Sequence, residues 1–169
     1  MLTTATPTLY SLSYRDSKAY LFAALFIIGN IAVPQLCHLI PGGGLVWLPI
    51  YFFTLIAAYK FGWRVGVLTA VVSPLANSAL FGMPAVAALP AIMLKSVLLA
   101  VIAAAVAART CKTALWCLLL VIAGYQTLGT LGEWVMKADF YAALQDFRIG
   151  LPGMLAQLFG GWLLLNFRK

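Results

Sequence analysis

The sequence predicts an all-α membrane protein, a bundle of six transmembrane helices with both termini in the cytoplasm. Three observations carry this expectation. Of 169 residues, 64% are hydrophobic and 9% are charged, and mean hydropathy is +1.00. A soluble domain is roughly 45–50% apolar and about 25% charged. One core of this size could not hide so much apolar surface, so lipid is expected to solvate most of the outside. Apolar stretches of membrane-spanning length recur between breakers, and six spans of about 20 residues leave little chain for loops. The basic residues, finally, gather on alternate connections.

Span 1 is expected over 19–37, after Arg15, Asp16 and Lys18 and with Pro34 near its far end. The first 18 residues lack the basic, apolar and small-residue order of a cleaved signal, so span 1 is expected to be retained. His38 to Gly44, with Pro41 and three glycines, breaks the chain. Span 2, over 45–61, is short. Lys60, Gly62, Trp63 and Arg64 make a tight basic turn into span 3, over 65–81, which Ser73-Pro74 interrupts. Gly82, Met83 and Pro84 form the next loop. Span 4 covers 86–108 and ends in the basic turn of Arg109 and Lys112. Span 5 covers 114–135. A charged loop over 136–148 has room for one helical turn, and span 6 covers 149–167.

Placing the N-terminus inside puts Arg15, Lys18, Lys60, Arg64, Arg109, Lys112, Arg168 and Lys169 on the cytoplasmic side, eight of the eleven Lys and Arg. The outer loops keep only Lys137 and Arg148, and three of the four acids, Glu133, Asp139 and Asp146, also fall outside. This is a positive-inside pattern. The net charge of +7 therefore reports topology and contact with anionic lipid rather than nucleic acid. A multi-pass protein of a bacterial inner membrane is expected.

Several classes of chemistry are disfavoured. Cys37, Cys111 and Cys117 form no CxxC pair, and no His, Cys and carboxylate cluster has metal-ligand spacing, so no metal or cofactor is expected. There is one histidine, no HExxH, no GxSxG and no phosphate-binding loop motif. An enzyme is not expected, and hydrolysis of ATP would need another protein.

Lys95 is the most informative residue. It lies well inside span 4, where a lone lysine costs about 2.5–3.5 kcal/mol to insert. It is expected to face a polar cavity, touching either a ligand or an internal partner such as Glu133 or backbone carbonyls. Asn77 and Gln126 are buried amides that need partners in lipid. Trp47 and Tyr51 lie at the same level, where belt anchoring competes with ligand contact. His38 sits beside the first loop and reads as structural or as a ligand contact. Gly42, Gly43 and Gly44 allow close backbone approach. With Gly82, Met83 and Pro84 they are candidate gating loops, or plain connectors. Ala19 and Ala23 form a small-xxx-small pair that permits close helix approach.

The stretch Leu48-Pro-Ile-Tyr-Phe-Phe-Thr-Leu-Ile-Ala-Ala-Tyr-Lys-Phe-Gly62, followed by Arg64-Val-Gly-Val-Leu-Thr-Ala-Val-Val-Ser-Pro-Leu-Ala-Asn-Ser-Ala-Leu-Phe-Gly-Met-Pro84, resembles the substrate-binding S-components of energy-coupling factor (ECF) transporters. Chain length, span count and orientation extend the resemblance beyond these residues. It implies high-affinity capture of a vitamin or related micronutrient from outside, in a site built from spans 4 to 6 and closed by loops 1 and 3. It also implies coupling to a transmembrane scaffold subunit and two ATPase subunits, with Ala19 and Ala23 at the scaffold contact. Many relatives carry an acid near the position of Lys95. A cation there implies a carboxylate, phosphate or polarised carbonyl in the substrate. The competing reading is a membrane-embedded structural or scaffold protein without a small-molecule substrate.

Overall fold

The structure is a computed structural model and describes residues 11–167; Arg168 and Lys169, counted above on the cytoplasmic side, lie outside the described residues. Every regular element among the described residues is helical. Helix α1 spans Ser17–His38, α3 Phe52–Phe61, α4 Trp63–Phe81, α5 Leu89–Thr110, α6 Leu115–Lys137 and α9 Leu151–Asn166. Short helices α2 (Gly43–Trp47), α7 (Phe140–Ala143) and α8 (Gln145–Ile149) occupy the connections at one end.

Among the described residues, four helices are long and apolar enough to cross a membrane: α1, α4, α5 with its preceding 3-10 turn, and α6. Their outward faces are apolar. Leu21, Leu25 and Ile28 on α1, Val72 and Leu75 on α4, and Leu120, Leu128 and Leu131 on α6 are all exposed. Only lipid solvates such a belt favourably, so the protein is membrane-embedded.

Helix α3 is the axis of the bundle. Thr54 to Tyr59 are buried on every side, as expected of a helix that is apolar all round. It packs against α1, α4, α5 and α9. Gly66 on α4 lets this happen, because a Cβ there would run into Ala58 of α3 and lie 3.2 Å from the Ala100 Cβ of α5.

The helices run antiparallel, so connections alternate between two ends. At the turn end, Tyr59 donates its hydroxyl proton to the Lys112 carbonyl. Thr113 Oγ1 donates to Asn166 Oδ1 at 2.6 Å, and Asn166 Nδ2 returns a bond to the Thr113 carbonyl at 3.3 Å. These bonds gather the α3–α4 turn, the α5–α6 turn and the end of α9. The opposite, loop end carries α2, α7, α8 and the glycine-rich connections.

Three elements differ from the sequence expectation. Span 2 is broken: α2 ends at Trp47, Leu48 has φ 46°, and a 3-10 turn over Pro49–Tyr51 leads into α3. Pro49 disfavours right-handed helical backbone at the residue before it. Span 3 is unbroken, since α4 runs straight through Ser73-Pro74. The charged loop over 136–148 holds two short helices rather than one turn, and Asp139 caps the first by accepting from Ala142 N at 3.0 Å.

Ala19 and Ala23 require a correction. Both are buried within the chain, at 0% and 3% exposure, so neither is free to meet a scaffold protein. Their small side chains serve the packing of α1 against its own bundle.

A second polar knot holds α1 to the bundle. Pro34 has no N–H, which orphans the Asn30 carbonyl one turn earlier. Asn77 Nδ2 of α4 donates to that carbonyl at 2.8 Å. The Asn30 side chain donates to Thr54 Oγ1 at 2.9 Å and Ser73 Oγ at 3.3 Å, and accepts from Phe53 N at 3.2 Å. Asn30→Leu leaves several buried groups unpaired, each at about 1–3 kcal/mol. The detergent-solubilised variant is expected to melt several degrees lower, while lipid-facing Ile28→Ala stays near wild type. Equal melting of the two variants would contradict this account.

Candidate functional site

Lys95 lies on the second turn of α5, with its side chain 3% exposed. Its stem crosses α6 at Gly129, where a Cβ would sit 2.5 Å from Lys95 Cγ. The glycine thus opens the path by which the ammonium reaches the loop end. There Lys95 Nζ lies 2.5 Å from Glu133 Oε2 on α6 and 2.8 Å from Asp146 Oδ2 on α8. Lys137, one turn beyond Glu133, places Nζ 2.5 Å from Glu133 Oε1. The Glu133 and Asp146 side chains are only 10% and 14% exposed. Lys95 and the two carboxylates therefore meet where water is scarce, while the Lys137 side chain is 37% exposed at the rim; the four charges sum to zero.

This cluster forms one wall of a cavity of about 140 Å³, completed by Gly44, Leu45, Leu48, Ile50 and Tyr51 between α1 and α3, by Ala88, Ala91 and Ile92 at the start of α5 and in the 3-10 turn before it, and by Gln145 of α8. A larger apolar chamber of about 400 Å³ adjoins it. The two share Gly44, Leu45, Ile50, Ala88 and Ile92 as walls. The chamber is further lined by Pro34, His38, Gly42, Pro49, Asn77, Met83, Pro84 and Ala85.

The glycine loop is built for this roof. Gly42 has φ 74°, a backbone that side chains rarely adopt. Gly43 packs on the Cys37 carbonyl, and at Gly44 a Cβ would sit 2.6 Å from His38 Nε2. The far edge of the roof rests on α9, where Gly153 lies under the Trp47 carbonyl and Gly150 under the Leu48 side chain.

The expected site residues thus fall into three sets. Lys95, Glu133 and Tyr51 line the polar cavity. His38, Asn77, Gly42, Met83 and Pro84 line the apolar chamber, and Gly44 lines both. Gly43 and Gly82 shape the loops without lining either space. The amide of Asn77 is already engaged, since it bonds Asn30 and accepts from Gln35 Nε2 at 3.3 Å. Trp47 stands apart: it lines a separate groove with Val33, Cys37 and Phe52, because the left-handed Leu48 turns it away from the cavity. Gln126 is fully buried and lines neither space. Its Nε2 lies 3.2 Å from the Tyr125 hydroxyl, which donates to Gln157 Oε1 at 2.8 Å. The Tyr125 ring packs on that of Tyr51 at 5.6 Å, linking this set to the cavity.

Two members of the cluster escaped the sequence reading. Lys137 follows Glu133 by four residues on one helix face, a spacing that predicts the ion pair. Asp146 is delivered by the fold of the α6–α9 connection, and no local pattern announces it. Among the described residues no group of three His, Cys, Asp or Glu could hold a metal ion.

No protein family, curated protein or solved structure matches this chain. What the site does is therefore argued from its own geometry.

Lys95→Met strands Asp146 and leaves Glu133 with Lys137 alone, and losing one partner of a buried ion pair typically costs about 3–5 kcal/mol. The variant is expected to melt well below wild type. Adding Asp146→Asn restores neutrality and is expected to recover part of the loss. If the double variant melts no higher than Lys95→Met, charge balance is not what holds the cluster.

Proposed function

We propose that this chain is the substrate-binding subunit of an ECF-type uptake system in a bacterial inner membrane. It captures a vitamin-like micronutrient from outside and works with a transmembrane scaffold subunit and two ATPase subunits. The observation that carries this reading is the roofed cavity. A polar cavity walled by the charged cluster and an apolar chamber share walls beneath a glycine loop that turns through a positive φ at Gly42 and approaches its neighbours closely at Gly43 and Gly44. A purely structural bundle has no need of a polar cavity that opens into an apolar one.

The same reading assigns six spans, with both termini inside. The segment from Gly43 to Phe61 and the 16-residue α9 complete the count. At 1.5 Å per residue α9 extends about 24 Å, short of a hydrocarbon core of about 30 Å, so its ends reach the interfaces only where the bilayer thins or flanking residues extend it. The basic turn end, with Lys60, Arg64, Arg109 and Lys112, is the cytoplasmic face. The loop end, with both cavities, faces outward. The scaffold contact, no longer assigned to Ala19 and Ala23, falls to the exposed surface of the helices.

Two measurements test the proposal. Native mass spectrometry of the purified protein is expected to find a retained small metabolite, lost in Lys95→Ala and in Lys95→Glu. An empty protein that still associates with other membrane proteins favours the scaffold reading instead. For orientation, Cys37 and Cys117 are replaced by alanine and a membrane-impermeant maleimide is applied to intact cells. Ala138→Cys at the loop end is expected to react, and exposed Cys111 at the turn end is expected to stay unlabelled. The reverse pattern would invert the topology.

A further inference from the structure

We infer that the ligand of this site is an amphipathic zwitterion, a small molecule whose polar head carries one anionic and one cationic group and whose body is apolar. The inference takes from the proposed function only that the cavity binds a small molecule.

The charges are the starting point. Holding one lysine inside a bundle needs one acid. This site has two acids and two ammoniums, drawn from α5, α6 and α8, and all four line the same cavity. Charges that serve only to neutralise one another are closed off by packing. These instead form the wall of an open space.

Neutrality decides the class of ligand. Around Lys95, Glu133 and Asp146, which are nearly buried, an uncompensated charge is costly, and the half-exposed Lys137 completes the balance from the rim. A net anion would leave the cluster with one negative charge too many, and a net cation with one positive charge too many. A zwitterion adds neither. Its anionic group takes Lys95 Nζ from Asp146, and the freed carboxylate receives its cationic group.

Asp146 is the exchangeable partner. It meets Lys95 through one oxygen at 2.8 Å and rides on the five-residue α8. Glu133 is held from both sides, at 2.5 Å by Lys95 and at 2.5 Å by Lys137. The apolar chamber of about 400 Å³ then takes the body, reached across the shared walls at Gly44, Ile50 and Ile92. Two sources offer this chemistry: a free amino-acid-like metabolite, and a zwitterionic lipid such as phosphatidylethanolamine.

The test identifies what the full-length protein retains after mild detergent extraction, by native mass spectrometry with fragmentation. It also ranks three probes sharing one phenylethyl body by thermal shift: L-phenylalanine, 3-phenylpropionate and 2-phenylethylamine. The expected results are a retained molecule bearing both charged groups and tighter binding of L-phenylalanine than of either singly charged probe, by about tenfold. Asp146→Asn makes the cluster net positive and is expected to move the preference toward 3-phenylpropionate by about tenfold. Its melting temperature serves as the check on folding. A retained molecule with one charged group or none overturns the inference, and so does a preference for a singly charged probe. An unchanged preference in Asp146→Asn does the same, and all three leave the cavity standing as a binding site. Retained phosphatidylethanolamine supports the zwitterion and overturns the uptake reading. Where no probe responds, the groups on the retained molecule decide. No retained molecule and no response overturns both readings.

Discussion

An ammonium inside a lipid-solvated bundle has to be neutralised by acids from other elements, and in this chain that requirement ties α5, α6 and α8 together. Lys95 alone would be an expensive insertion. With Glu133 and Asp146 it becomes a joint between two long helices and the cap above them. Much of the local geometry follows from that need. Gly129 has no side chain because the lysine stem passes over it, and Lys137 balances the second acid.

The same constraint acts in uncharged form on the other side of the bundle. Pro34 leaves the Asn30 carbonyl without its helical partner, and in lipid no water makes good the loss. Asn77 supplies the bond, and Asn30 itself bridges to α3 and α4. A helix that is otherwise apolar is thereby fixed in rotation and depth. The apolar chamber lies between these two polar knots, bounded by Asn77 on one side and sharing walls with the Lys95 cavity on the other.

The helices themselves were largely legible, because hydropathy and breakers locate apolar segments regardless of how they pack. Lys95 was legible for the same reason, since a charge in an apolar run must be accommodated. Which face of a helix turns inward was not. In a soluble protein, polar residues mark the outside. Here lipid-facing Leu21 and bundle-facing Ala23 are both apolar, so nothing in the pattern of α1 distinguishes them. The resemblance put Ala19 and Ala23 at an outward contact, and nothing in the pattern of α1 spoke against it. The role of Asp146 was hidden differently, because it depends on how α7 and α8 fold back across the bundle. Asn77 was visible as a buried amide, but its partner is a carbonyl exposed by a proline on another helix, which no spacing within α4 reveals.

The seat of the roof has a consequence for the order in which the molecule is assembled. Residues 43–48 emerge early in synthesis, yet the glycines that receive them, Gly150 and Gly153, are translated only after α3 to α6. Until α9 is in place, the Trp47 carbonyl and the Leu48 side chain have nothing to rest on. The compartment therefore cannot close helix by helix as the chain is inserted. Its far edge is complete only once the last helix has docked.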